Sequence, residues 1–324
     1  MKRFVLYVVA FFLPIIIIAI SSEFMLRSIP NDYSYKKNYL DKNASQVEIL
    51  VLGSSHSYYD VNPAYFHLNG FNAANVSQTL SYDYAIFEKY INHWNNLKFI
   101  ILPIDDFTLY SDLEKNLESW RIKNYEIYYD IHLSDNLTYK SEILSNKLIV
   151  NDYRVYHHFI KHDTNIACSI LGWGLDDTTK SNSDLTVSGI TAAKRHTILN
   201  DEFFSRNVQI LTKLIKAANA KNIRVILYTS PAYATYTKYA SKNQMASTID
   251  VAEHFSKKYP NVNYYNWFND TSFVASDFYD ADHFNEIGAK KFSLKLDCLI
   301  KRLKKSSTRP AEPGALQQIA KRRA

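Results

Sequence analysis

The chain has 324 residues, 38 Lys and Arg against 32 Asp and Glu, 47% apolar residues and two cysteines. That length can bury a sizeable core, and two cysteines exclude both a disulfide-stapled mini-scaffold and a cysteine-rich zinc module. Eight basic residues crowd into 301–324 against Glu312 alone, which leaves 30 basic and 31 acidic side chains elsewhere and no strongly basic body for nucleic acid.

Phe4 to Ile20 is a run of 17 uncharged, mostly apolar residues behind Lys2 and Arg3. Extended through Ser22 it reaches the ~30 Å of a bilayer core at ~1.5 Å per residue. It exceeds the ~7–15 apolar residues of a cleavable signal and lacks an Ala-x-Ala site. An uncleaved transmembrane anchor over residues 1–26 is therefore expected. Basic residues flank the run on both sides (Lys2 and Arg3, then Arg27, Lys36 and Lys37), so charge alone does not orient it. Residues 27–46 are polar and read as a linker.

Strands and helices then alternate. Glu48–Leu52 is a short apolar run ending before a glycine, as a buried parallel strand does. Ser81–Asn95 reads as helix and Leu97–Leu102 as a second strand. Residues 106–200 are rich in Tyr, Asp and Asn, with a loose stretch near 176–189, and read as an insertion or lid. Phe204, Val208, Leu211, Ile215 and Ala218 mark one helical face. Ile223–Tyr228 and Val262–Tyr265 are further strands, with a helix over Met245–Lys258 between them. Phe292, Leu296, Leu299, Ile300 and Leu303 mark an amphipathic last helix. The pattern predicts an α/β three-layer sandwich with a mostly parallel central sheet over 47–303, behind one transmembrane helix. The basic residues 304–324 read as a disordered tail. Spacing leaves open whether Cys168 and Cys298 pair.

Two segments carry the chemistry. Val51-Leu52-Gly53-Ser54-Ser55-His56-Ser57 follows the first strand, where ligands bind in an open parallel sheet. A sharp turn at Gly53 would expose a serine hydroxyl beside free N–H groups able to hold an oxyanion; a Ser there can equally cap a helix. The second segment, Asp280-Ala281-Asp282-His283, precedes the last helix. An Asp three residues before a His can reach its Nδ1–H, fix the tautomer and stabilise the imidazolium; alternatively Asp282 or Asn285 caps the helix.

Together, a post-strand Gly-x-Ser and an Asp-x-x-His before the last helix resemble the SGNH (GDSL-like) hydrolase superfamily. The likeness is closest to its membrane-anchored bacterial branch, which works on cell-envelope glycans and includes alginate-type O-acetyltransferases and the D-alanyl-lipoteichoic acid biosynthesis protein. Gly53-Ser54-Ser55-His56, Tyr59-Asp60-Val61-Asn62-Pro63 and Asp282-His283-Phe284-Asn285-Glu286-Ile287-Gly288 carry it. The resemblance implies Ser55 as nucleophile, His283 as general base and Asp280 as its orienting partner, with no cofactor. It places Ser77 where the family has an oxyanion-hole glycine, with Gln78 beside it. Tyr233 follows the third expected strand and could line the pocket. Where the family's third motif supplies an asparagine, this chain has Pro103-Ile104-Asp105-Asp106, and a carboxylate repels an oxyanion. The implied function is a membrane-anchored esterase or O-acyltransferase on an acylated envelope glycan, with the catalytic domain outside the cytoplasm. Envelope-glycan assembly partners are compatible with it; nucleic acid is not expected.

Other readings stay open at this point. A catalytically inactive glycan-binding or assembly protein would keep the fold and pocket. Asp280-Ala281-Asp282 is also an Asp-x-Asp that a metal-dependent glycosyltransferase could use, although no nucleotide-binding glycine loop precedes it. His157, His158 and His162 have partial zinc spacing without a third telling ligand, and no resident metal is expected.

Overall fold

The computed structural model describes residues 1–175 and 184–307. Five parallel strands form one sheet: β1 (Ile49–Val51), β2 (Gly70–Asn72), β3 (Phe99–Pro103), β4 (Arg224–Thr229) and β5 (Val262–Asn266), in the order β2-β1-β3-β4-β5. Leu50 lies between Phe71 and Ile100, and Ile101 is opposite Ile226. The helices are α1 (Lys2–Ser28), α2 (Asp32–Asn43), α3 (Ser55–Tyr58), α4 (Leu80–Lys89), α5 (Ile122–Asn124), α6 (Glu142–Ser145), α7 (Leu148–Phe159), α8 (Leu185–His196), α9 (Phe204–Ala220), α10 (Ala234–Tyr239), α11 (Lys242–Lys258) and α12 (Glu286–Ser307).

The central strands are apolar along their whole length because both sheet faces are covered. Leu50, Ile100, Leu102, Val225 and Leu227 point to one side, against Ile86 and Phe87 of α4, Leu211 and Ile215 of α9 and Phe255 of α11. Ile49, Val51, Phe99, Ile101 and Ile226 point to the other, against Phe292, Leu296 and Ile300 of α12. This is the three-layer α/β arrangement expected from the sequence, with β2 added. A three-residue Gly-Phe-Asn strand has too little pattern to be read in advance.

The chain passes from β1 to β2 on one side and returns to β3 on the other. Loops leaving β1 and β3 therefore diverge, and a crevice opens at their carboxyl ends. Gly53–Ser55 and Asp105 flank it.

The expected linker over 27–46 is corrected by α2, which belongs to the folded body. Asn31 starts it with a reciprocal cap: its Oδ1 accepts from the Ser34 N–H at 3.0 Å, and its N–H donates to Ser34 Oγ at 3.2 Å. Tyr33, Lys36 and Leu40 lie on one helical face and are buried. Lys36 is wholly enclosed, with its ammonium 4.5 Å from the Tyr58 ring centre and donating to the Ala74 carbonyl. Burial lowers its pKa to about 8, against smaller opposing effects of Cys168 and Asp32. A tyrosine- and lysine-rich segment looks polar by composition, yet both side chains carry long apolar bodies.

The β3–β4 crossover holds α5 to α8 ahead of α9. Of the loose stretch 176–189, residues 176–183 lie outside the described residues, and Gly189 sits within α8. Helix α12 runs to Ser307; the rest of the expected tail, 308–324, also lies outside them. Cys168 is buried and Cys298 exposed, and both are free. Among the described residues α1 is the one helix long and apolar enough to cross a membrane.

Candidate active site

Gly53 makes the turn after β1. Its φ is +117°, and a Cβ there would lie 2.5 Å from the Pro103 ring and 3.0 Å from Ser57 Oγ. Its N–H donates to Asp83 Oδ1 at 2.7 Å. Backbone strain and a clash with a rigid ring coincide, so Gly53→Ala is expected to lower unfolding stability by about 2–4 kcal/mol. Urea denaturation with an unchanged m-value is the check.

The turn delivers Ser55 to the first position of α3, half-buried. The leading N–H groups of any helix lack intrahelical acceptors, so this turn presents donors beside the hydroxyl. Ser55 Oγ lies 2.8 Å from His283 Nε2. His283 Nδ1 lies 2.9 Å from Asp280 Oδ1 and 3.0 Å from Oδ2. Asp280 Oδ1 also accepts the backbone N–H groups of Asp282 at 3.1 Å and His283 at 2.8 Å, which folds the segment into a tight turn. A Phe278–Phe284 bridge closes that turn, and Asp60 Oδ1 accepts the Phe284 N–H at 2.8 Å. Asn285 takes the helix-capping role, accepting from the N–H groups of Ile287 and Gly288 at 2.9 and 3.1 Å. Residues 228 positions apart thus meet at the carboxyl ends of the strands.

Burial by itself would lower the His283 pKa. The carboxylates of Asp282 and Asp280 outweigh it and hold the pKa above the usual histidine value. Asp282 is the deeper of the two, 1% exposed, with Oδ1 3.8 Å from His283 Nδ1. Its Oδ2 accepts from Arg195 at 3.1 Å and lies 3.6 Å from His56 Nε2 and 3.9 Å from His196 Nδ1. Burial opposes its ionisation, but the His283, His56 and His196 rings hold it well below the usual carboxylate range.

Several residues here escaped the sequence reading. His56, next to Ser55, donates its Nδ1–H to Asp105 Oδ2 at 2.8 Å, with both groups buried. Asp105 also accepts from the Ser230 N–H at 2.8 Å and hydroxyl at 3.1 Å. Burial opposes a charge on His56, yet Asp105 and Asp282 raise its pKa well above the usual value. The Asp105 carboxylate is therefore matched by a buried histidine rather than left bare. Helix α8 adds His196, whose Nδ1 meets the Tyr236 hydroxyl at 2.9 Å and whose pKa falls to about 3 through burial. Asp60 is enclosed, and burial raises its pKa to about 7. The signal for His56–Asp105 was present as a histidine and an aspartate after adjacent strands. Only the strand order, which puts β3 beside β1, joins them.

The remaining expected site residues sort differently. Ser77 stands in the loop after β2 with φ +59°, the left-handed conformation a glycine would take at no cost. Ser77→Gly is therefore expected to keep the fold within about 1 kcal/mol of wild type, relief of strain offsetting the added chain entropy; a thermal melt measures it. Gln78 is corrected: its side chain is buried and turned inward, accepting from Asn75 at 2.9 Å and Tyr125 at 2.9 Å while donating to Asp83 at 2.7 Å. It buttresses the Gly53 turn through Asp83 because an amide has no better way to satisfy its four sites when enclosed. Tyr233 is half-buried, its N–H bonded to the Ala281 carbonyl at 2.9 Å and its ring edge-on to Phe278 at 5.7 Å. It packs against the loop that carries His283.

His56, Asp282 and His283 offer atoms within 4.8 Å of one another, close enough to ligate a cation. Both nitrogens of His283 already meet Ser55 and Asp280, so a cation there would displace those contacts. In the other histidine group, His157 Nδ1 lies 2.6 Å from Asp163 and its ring stacks on Tyr153.

No family model matches the sequence, and comparison with curated proteins finds no match either. Among solved structures the chain is similar to a Bacteroides fragilis protein described as a "putative acylhydrolase", with a TM-score of 0.40 and 11% identity. The match covers 84% of this chain and 96% of that one.

Proposed function

We propose that the protein is a serine esterase or O-acyltransferase of the SGNH type, anchored in a membrane by α1 and acting on acyl esters of a cell-envelope glycan. The observation that carries the reading is the Ser55–His283–Asp280 chain of contacts, 2.8 and 2.9 Å long, at the carboxyl ends of a parallel sheet. The Gly-x-Ser and Asp-x-x-His motifs and the left-handed Ser77 support the SGNH assignment.

In this mechanism His283 Nε2 takes the Ser55 proton as Oγ attacks the ester carbonyl carbon. Backbone N–H groups after β1 and β2 face the oxyanion, and the His56 charge offsets that of Asp105 nearby. Collapse breaks the ester C–O bond, and the proton on Nε2 goes to the departing alkoxide. Water or a sugar hydroxyl then attacks the acyl carbon, giving its proton to Nε2; the bond from the acyl carbon to Oγ breaks, and Nε2 returns the proton to Oγ, restoring Ser55. Water makes the protein an esterase and a sugar hydroxyl makes it an acyltransferase. The domain is placed on the extracytoplasmic face, where acylated glycans lie.

The test is fluorophosphonate labelling of the full chain in detergent micelles, followed by peptide mapping. Acetyl-ester turnover is followed on the same sample with and without an oligosaccharide acceptor. Modification at Ser55 with turnover supports the reading, and acetylated oligosaccharide selects the transferase. Unlabelled, folded protein that retains glycan affinity selects the second reading, a silent glycan-binding protein, which the aspartate at position 105 favours.

A further inference from the structure

A helix that only tethers a domain needs no fixed attitude to it, but the end of α1 is bolted down. Glu23 accepts hydrogen bonds from the Ser141 hydroxyl at 2.8 Å and from the N–H groups of Glu142 and Ile143 at 3.0 and 3.1 Å. One carboxylate of α1 therefore caps the first turn of α6, as an acidic side chain does at a helix start. Arg27 pairs with Glu23 at 2.7 Å and donates to the Lys140 carbonyl at 2.6 Å, and Leu26 and Ile29 are buried. From α6 the connection continues into α7: Glu142, itself enclosed, bonds Lys123 at 2.5 Å and Arg154 at 2.5 Å. Such a network holds α1, α6 and α7 as one rigid corner.

That corner exposes an apolar face. Leu144 is 66% exposed, Leu148 70%, Ile149 72%, Tyr153 62%, Tyr156 47% and Ile160 64%. Positions 148, 149, 153 and 156 of α7, with Ile160 just past its end, share one side of the helix, where the exposed Asp152 sits between Leu148 and Tyr156, while Asn151 on the opposite face is buried. Exposed Lys147 and Lys161 stand just outside its two ends. So many large apolar side chains on one solvent-facing helix mark an interaction site.

Position selects the occupant. Nineteen residues from Phe4 to Ser22 span about 28 Å at 1.5 Å per residue, close to the hydrocarbon thickness. Glu23 is the first charged residue after them, so the boundary between acyl chains and headgroups falls there. The helix that Glu23 caps, and the one following it, start at the same level. Two tyrosines on the stripe and lysines at its ends match the preferences of that boundary, where amphipathic rings and snorkelling cations settle.

We propose that α7 is an interfacial helix that lies in the bilayer surface, its Leu148/Ile149/Tyr153/Tyr156/Ile160 face in the acyl–headgroup boundary beside α1. The domain is thereby held at one attitude to the membrane, within reach of substrates at the headgroup level rather than swinging on a tether. The inference rests on the anchor reading of α1.

The test uses the full chain in phosphatidylcholine–phosphatidylglycerol liposomes, with Cys168 and Cys298 replaced by serine. Nitroxides are placed one at a time at Ile149→Cys, Tyr153→Cys, Phe12→Cys in α1 and Lys257→Cys on α11. Collision rates with oxygen, which partitions into lipid, and with a water-soluble nickel chelate are compared. The expected result is a several-fold excess of oxygen over nickel collisions at 149, 153 and 12, and the reverse at 257. If 149 and 153 follow 257 while 12 stays in lipid, the anchor stands and the interfacial helix is overturned. Low collision rates with both reagents at 149 and 153 overturn it too, because a protein then covers the stripe. If 12 also follows 257, the anchor reading itself fails and takes the inference with it.

Discussion

Ser55→Ala is expected to abolish fluorophosphonate labelling and to lower ester turnover by about three orders of magnitude or more, with little change in melting temperature. The hydroxyl is half-buried and its resolved side-chain partner is His283, so its loss leaves no enclosed group stranded. His283→Ala should lose labelling to a similar extent, since Oγ then has no base. The two losses are not additive: once either residue is gone the other has no proton partner, and the double variant should resemble each single one. Whatever rate remains in all three reports the backbone donors and binding alone. Retained labelling in folded Ser55→Ala protein would mean that another nucleophile reacts and would remove the basis of the proposal.

How far the sequence leads depends on how local each feature is. The apolar runs at Ile49–Val51, Phe99–Pro103 and Arg224–Thr229 are legible because a strand buried on both faces is apolar at nearly every position. The Asp280–His283 contact is legible because it closes within one turn. Contacts that depend on strand order are not. His56 and Asp105 are 49 positions apart and meet only because β3 returns beside β1. Helix α8 reaches the site from inside the β3–β4 crossover, so nothing in its local pattern announces Arg195 or His196. Helix α2 was hidden for another reason: its burial uses tyrosine rings and a lysine stem, which composition counts as polar. Gln78 shows the converse, a polar side chain beside a suspected oxyanion position whose hydrogen bonds all run into the interior.

Two aspartates lie against His283, and their amide variants should fail in different ways. Asp280 Oδ1 is fixed by two backbone N–H groups, so in Asp280→Asn the oxygen stays there and the NH₂ takes the place of Oδ2, 3.0 Å from Nδ1. The amide oxygen at 2.9 Å can still accept from Nδ1–H, but the NH₂ beside it opposes that tautomer, and the charge that stabilises the imidazolium is gone. A loss of about two to four orders of magnitude in kcat is expected, with the fold kept because Asp280 lies near the surface. Asp282→Asn instead removes a buried charge that faces Arg195, His56 and His283. Leaving a buried cation short of its partner costs about 3–5 kcal/mol, so the melting temperature should fall. The pH profile should move as well. The base must be neutral to act, so the rate climbs as pH rises through the His283 pKa, which Asp282 and Asp280 together hold above the usual value. Removing the Asp282 charge destabilises the imidazolium, lowers that pKa and shifts the rising limb of kcat/KM to lower pH. If Asp282→Asn carries the large kcat loss and Asp280→Asn only a shifted limb, the orienting carboxylate is Asp282. The 3.8 Å contact would then have to close when substrate binds.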